Sequence, residues 1–420
     1  MDRLLIQGGA ILRGELRASG AKNSALKMFA AALLADEPVT ISNVPHLRDI
    51  TTMIELLVSL GVEVVIDEKM NIEIHANTIK SFKAPYELVK TMRASFNVLG
   101  PLLAHYGQAE VSLPGGCAIG TRPVDLHLKA LQKLGADIKL EDGYVIATAP
   151  NGLKGTKIKF SKVSVGATHN ILMAATLAKG QTIIENAAKE PEVVDLVKCL
   201  RAMGSKIEGE GTSIINIEGV SQLNSAEHEV LPDRIEAGTY AMAVAMTGGS
   251  LTLTNVNSDN LQYPLHVMKA MGVQCLDQEN SLHITQNDNK LKPIDIVTNP
   301  YPGFPTDLQA QIMAMMTQAD GLSRIRETIF ENRFMHVQEL ARLGANITLD
   351  GDMAIIRGVT KLKGAQVMAT DLRASVSLVI AALAAKGETI VNRVYHLDRG
   401  FEDIEKKLSS CGAVIERLTD

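Results

Sequence analysis

Apolar positions along this chain switch repeatedly between two spacings. Leu26, Phe29, Ala30, Leu33 and Leu34 follow a helical period, Val39-Thr40-Ile41 then reads as a strand, and a second helix begins near Asp49. The succession recurs as a helix over Ala94 to His105, a strand at Glu110-Val111-Ser112-Leu113 and a helix from about Val124 to Leu134. Further first helices begin near Gly166, Glu236, Asp307 and Leu372. Each second helix closes at a glycine: Gly61, Gly135, Gly204, Gly272, Gly344 and Gly412, separated by 74, 69, 68, 72 and 68 residues. Self-similarity at this period predicts six βαβαββ units. Helices such as Leu372 to Ala385 are apolar on most faces, which puts them together beneath sheets in an α/β repeat architecture. No terminal unit resembles a solenoid cap, so the units are expected to close into compact lobes. The polar stretch from Glu210 to Pro232 separates three units from three.

Composition narrows the function. The 420 residues are 46% hydrophobic, enough for more than one core. A net charge of -5 and 4% aromatic residues without Trp argue against a nucleic-acid partner. The apolar run after Met1 is too short for an export signal, and the charge-free stretch from Ala237 to Ser258 is broken by Gly248-Gly249. A soluble cytoplasmic protein without membrane association is expected. Cys117, Cys199, Cys275 and Cys411 show no Cys-x-x-Cys spacing and no neighbouring His cluster, which predicts reduced thiols and no metal site.

Charge collects where first helices begin, at Lys22, Arg93, Ser164, Arg234, Asp307 and Asp371-Leu372-Arg373, with Arg48, Arg122, Arg333 and Arg399 before the second helices. Cations beside the positive end of a helix dipole are unfavourable unless an anion is bound, so phosphate-bearing small substrates are expected in a cationic cleft. Alternatives remain residue by residue. Arg48 and Asp49 can form a surface pair, Asp307 can cap its helix, and Arg399 can bridge to Asp398. In the segment from Leu113 to Asp125, three glycines surround Cys117 and precede Arg122, which predicts a mobile loop carrying an acid or nucleophile. The other cysteines sit among apolar neighbours and read as structural.

The motifs Pro114-Gly115-Gly116-Cys117-Ala118-Ile119-Gly120, Arg122-Pro123-Val124-Asp125-Leu126-His127, Ser164-Val165-Gly166-Ala167-Thr168 and Tyr301-Pro302-Gly303-Phe304-Pro305-Thr306-Asp307 closely resemble the enolpyruvyl transferase family, in its UDP-N-acetylglucosamine branch. The resemblance spans the chain from Gly20-Ala21-Lys22-Asn23 to Arg399-Gly400; Thr121 is its one noticed departure within the loop. It implies a two-lobed inside-out α/β barrel, with residues 22–229 in one lobe, 1–21 and 230–420 in the other, and the active site in the cleft between them. It further implies transfer of the enolpyruvyl group of phosphoenolpyruvate to the 3′-hydroxyl of UDP-N-acetylglucosamine, with release of phosphate. That is the first committed step of peptidoglycan precursor synthesis, proceeding without metal or organic cofactor and without an obligate protein partner. Asp307 matches the family's proposed base, and Cys117 the loop thiol that can add covalently to phosphoenolpyruvate, to which acid or product-release roles are assigned in the family, and which is the target of the epoxide fosfomycin. Lys22, Arg122 and Arg399 match phosphate and carboxylate anchors, with Asn23 in the same site. Arg93, Arg122, Pro123, Val124, Asp125, Leu126, Lys162, Val163, Ser164, Val165, Asp307 and Ile329 match contacts of the nucleotide sugar, and Arg333, Asp371 and Arg373 match other cleft positions. Two rivals are a sibling transferase acting on shikimate 3-phosphate, which does not share the Gly-Gly-Cys loop, and a non-catalytic scaffold, which predicts neutral helix starts.

Overall fold

The computed structural model describes residues 2–115, 123–287, 290–359 and 361–419. Within them the chain forms two compact units: Met1–Ser19 with Pro232–Asp420, and Gly20–Gly116 with Arg122–Leu231. The second unit includes Gly20, Ala21 and residues 230–231 because its two ends are bonded together. Ala21 N donates to the Leu231 carbonyl at 2.8 Å, and the Asn43 amide donates to the Val230 carbonyl at 2.7 Å.

Each unit holds three four-stranded sheets, and every sheet follows one plan. In the third repeat, the strand Lys157–Lys159 runs parallel to Gln181–Glu185, which pairs antiparallel with Ile214–Glu218, which in turn pairs antiparallel with Lys206–Glu208. The helices Val165–Ala175 and Pro191–Ala202 fill the two connections, giving the βαβαββ order that the periodicity predicts. Three sheets borrow a strand from far along the chain. Ala226–Glu229 pairs parallel with Val39–Ser42, Leu12–Arg17 pairs parallel with Gly249–Thr254, and Arg3–Gln7 sits between Glu388–Asn392 and Val414–Leu418. Among the described residues the strands remain six separate sheets, with none closing into a single barrel.

The first helices are the inside of each unit. Arg234–Thr247 and Leu372–Ala384 are buried along almost their whole length, and both pack against Gln309–Met316. Side chains in them face neighbours on every side, so the apolar pattern covers all faces rather than one stripe. The sheets wrap this core, alternating buried and exposed residues, as in Arg3–Gln7. The repeated glycine also has a physical reason. At Gly61, Gly135, Gly204, Gly272, Gly344 and Gly412 φ lies between +89° and +104°, and the next N–H bonds back to a carbonyl five residues before it, as Val62 N does to Leu57 O at 3.0 Å. Only glycine adopts that left-handed geometry without strain, so the six positions are six helix terminators of one kind.

Two sequence expectations change here. The helix over Ala94 to His105 is a 3-10 segment, Arg93–Val98, followed by the α-helix Leu99–Tyr106; Pro101 stands in its first turn, where a missing N–H costs little. The polar stretch after Glu210 contains the strands Ile214–Glu218 and Ala226–Glu229, the latter an edge strand whose alternate residues face solvent. No helix among the described residues is long and apolar enough to cross a membrane.

Candidate functional site

In the Gly20–Leu231 unit, Lys22 opens the helix Lys22–Ala31 and its ammonium lies 2.9 Å from Asp49 Oδ2, both groups buried. Asp49 is thus a buried partner of Lys22, while Arg48 beside it in sequence is exposed. One turn further along, Lys27 is also buried, and burial with the neighbouring charges of Lys22 and Arg93 pulls its ammonium down to about 7, against the opposing pull of Asp49. Asn23, between these lysines in sequence, is exposed.

Two of the sequence motifs converge on His127. Its helix, Asp125–Lys133, sets the imidazole against Gly166, where an added Cβ would lie 3.3 Å from the ring. Asn170 donates from Nδ2 to His127 Nδ1 at 3.0 Å while its Oδ1 accepts from Gly100 N at 2.7 Å, and Phe96 meets the ring edge-on. Burial, then the cations Arg93 and Lys27, push His127 down to about 3, so Nδ1 is an acceptor throughout the physiological range. Ser164 caps the helix Val165–Ala175 by accepting from Ala167 N. Asp125 makes an exposed pair with Lys129. Pro123, Val124, Leu126, Lys162, Val163 and Val165 are exposed or half-buried nearby in sequence, and Arg93 begins its 3-10 segment half-buried. Cys117 and Arg122 lie outside the described residues.

In the other unit, Asp307 stands in a 3-10 turn, Thr306–Leu308, that leads into Gln309–Met316. The N-cap positions fall at Pro305 and Leu308, so Asp307 lies inside the turn and does not occupy the capping position. Its carboxylate is clasped instead, with Arg333 on Oδ1 at 3.0 Å and Arg373 on Oδ2 at 3.2 Å. Both guanidiniums are buried, at 4% and 6% side-chain exposure, whereas Asp307 keeps 30%. The pair is thus oriented from behind, with the acid as its open member. Asp371 is the residue that caps, accepting from Arg373 N at 2.8 Å and Ala374 N at 3.1 Å, which aligns Arg373 at the helix start. His336, buried beside this cluster, is pushed down to about 4 by burial against the upward pull of Asp371. Asp398 pairs with Arg417 at 2.7 Å, and Arg399 and Ile329 are half-buried.

Glu327 and Lys27 escaped the sequence reading, and Asp49 entered it only as a neighbour of Arg48. Each is a charged residue in a buried position, and nothing in its immediate sequence distinguishes it from a surface charge.

Interior helices under four-stranded sheets, with ionisable groups gathered at helix starts, define the class as the enolpyruvyl transferase architecture. The structure resembles the enolpyruvyl transferase NikO from Streptomyces tendae, with a TM-score of 0.90 and 26% identity over 100% of this chain and 99% of that one. It shares its fold with EPSP synthase from Acinetobacter baumannii, with a TM-score of 0.80 and 18% identity over 100% of both chains. The family model for EPSP synthase (3-phosphoshikimate 1-carboxyvinyltransferase) matches residues 6–408, and the chain belongs to that family of enolpyruvyl transferases. Relatives named UDP-N-acetylglucosamine 1-carboxyvinyltransferase from Azorhizobium caulinodans and Agrobacterium fabrum are 59% and 58% identical to it, each over 100% of both chains.

Proposed function

We propose that this protein transfers the enolpyruvyl group of phosphoenolpyruvate to the 3′-hydroxyl of UDP-N-acetylglucosamine and releases phosphate, the entry step of peptidoglycan precursor synthesis. The observation that carries the proposal is full-length identity of 58–59% to relatives bearing that activity in their names, against 18% to the EPSP synthase of the same fold. In the reaction, protonation at the methylene carbon of phosphoenolpyruvate makes its central carbon electrophilic while a base takes the proton of the attacking hydroxyl. The tetrahedral adduct then expels phosphate as its new methyl group gives up a proton, which restores the carbon–carbon double bond in the product.

Asp307 is the base in this reading, supported by its orientation on two buried guanidiniums and its partial exposure. Lys22, Asn23, Arg122 and Arg399 bind phosphoenolpyruvate, and Cys117 is the reactive thiol. Arg93, Pro123, Val124, Asp125, Leu126, Lys162, Val163, Ser164, Val165 and Ile329 receive the nucleotide sugar, several through backbone groups alone. Arg333 and Arg373 hold Asp307, and Asp371 holds Arg373. A cytoplasmic location is part of the proposal, in keeping with the unpaired thiols of Cys199, Cys275 and Cys411. The test is phosphate release from phosphoenolpyruvate with UDP-N-acetylglucosamine, without it, and with shikimate 3-phosphate in its place. Release that depends on shikimate 3-phosphate and not on the sugar nucleotide would reverse the assignment.

A further inference from the structure

Glu327 is 4% exposed and follows the strand Leu322–Arg326. Four donors converge on its carboxylate. Oε1 accepts from Thr298 Oγ1 at 2.9 Å, Ile329 N at 2.8 Å and Phe330 N at 3.2 Å, while Oε2 accepts from Thr306 Oγ1 at 2.9 Å. Thr298 follows a different strand, Asp295–Val297, and is itself fully buried; its hydroxyl also accepts from Thr328 N at 2.9 Å. One acceptor-only group thus ties three segments together: the end of an edge strand, the turn that begins at Thr306, and the backbone at 329–330. A bond that only sealed the sheet would reach Thr298 and stop there. This one also reaches Thr306, the residue before Asp307, and Ile329 itself.

We propose that Glu327 is a positioning residue of the transfer reaction, setting the Asp307 turn through Oε2 and the sugar-nucleotide segment at Ile329 through Oε1. The inference rests on the proposed roles of Asp307 and Ile329. The two oxygens separate its consequences. Thr306→Val removes only the Oε2 bond and keeps the side-chain shape, so it acts on the turn that carries the base. Glu327→Ala releases both ends. Glu327→Gln keeps an oxygen for the three Oε1 donors, and the Thr306 hydroxyl turns to accept from the new amide, so it is the conservative rescue.

Steady-state phosphate release measured on the full-length protein tests this. Thr306→Val should lose about tenfold in kcat with both KM values within about twofold of the parent. Glu327→Ala should lose kcat and also raise KM for UDP-N-acetylglucosamine by about fivefold or more, with Glu327→Gln returning both to within about threefold. A merely structural carboxylate would lower the amount of folded enzyme and leave the kcat-against-KM split unmoved. Should Glu327→Ala fail to fold, Thr306→Val decides: kcat within about twofold of the parent overturns the proposal. Asp307→Asn is run alongside. If it is inactive while Thr306→Val is normal, the positioning role falls and the base reading stands; if it is fully active, the base reading falls and takes the positioning role with it.

Discussion

Asp307 and Arg333 form a 3.0 Å ion pair in which the cation is buried and the acid is the more exposed member. Arg373 occupies the other carboxylate oxygen at 3.2 Å. The two guanidiniums fix the orientation of a carboxylate that stays 30% exposed. Asp307→Asn preserves size but presents an amide N–H to one guanidinium and cannot take a proton. We expect turnover to fall about 100-fold or more while KM for the nucleotide sugar changes by about threefold or less. Near-normal phosphate release would remove Asp307 from the base role.

The Lys22–Asp49 pair makes a prediction about stability. Both side chains are buried, at 7% and 6% exposure. Taking away the acid leaves a buried ammonium with less compensation, the expensive way to break such a pair. Asp49→Ala should lower unfolding free energy by about 3 kcal/mol in urea titrations, with an unchanged m value. A loss under about 1 kcal/mol would mean that Lys22 is adequately held without Asp49.

Lys27 gives a pH dependence with a definite sign. Its ammonium titrates near 7 in the fold, below its ordinary value of 10.5, because burial and its cationic neighbours disfavour the charge. Between those values the unfolded chain binds the extra proton, so stability rises as pH increases from about 7 toward 10. The cost of the charge is fully present below pH 7. Lys27→Met should therefore stabilise the protein at pH 6, by about 2 kcal/mol or more, and flatten the rise at alkaline pH. Denaturant midpoints for both proteins across pH 6 to 10 check this; parallel curves would refute it.

What could be read in the sequence divides along physical lines. The six glycines were legible because each repeats one left-handed helix stop at a near-constant interval. The interior helices were legible because burial on all sides leaves no polar face to interrupt the pattern. The strand Ala226–Glu229 was not, since Ala-Glu-His-Glu lies at a sheet edge and satisfies solvent as well as its neighbour Val39–Ser42. In the candidate site, Lys22 and Asp307 stood out by motif, but their partners did not. Asp49 sits 27 residues from Lys22, and Arg373 sits 66 from Asp307. Pairings at that distance are made by helix packing, and local spacing carries no record of them. Glu327 was invisible for the same reason, its four donors being supplied by backbone and hydroxyl groups whose presence no residue type announces.

The three described cysteines set the outcome of thiol labelling. Burial pushes Cys199 up to about 12, with Asp195 adding to the shift, and Cys275 up to about 11 against the opposing pull of Lys269. Burial also raises Cys411, whose thiol lies 3.5 Å from the Glu15 carbonyl. The nucleophile in alkylation and epoxide opening is the thiolate, so at pH 7 a thiol titrating near 12 offers only about one part in 100,000 of reactive form. Access is equally restricted, since all three side chains are at most 5% exposed. Cys117 differs in sequence, with glycines at 115, 116 and 120 and an arginine at 122. A brief treatment with iodoacetamide or fosfomycin on the native protein should therefore give a single adduct, on Cys117, and phosphoenolpyruvate should slow its formation. Cys117→Ser should take up no label under the same conditions. Cys117→Asp should retain turnover while resisting the epoxide, because a carboxyl group can still carry a proton but is a far weaker nucleophile toward an epoxide than a thiolate. Peptide mass spectrometry distinguishes the outcomes: label on Cys199, Cys275 or Cys411 with Cys117 unmodified would mean that the native fold opens to expose those thiols and that the loop cysteine is not the reactive one.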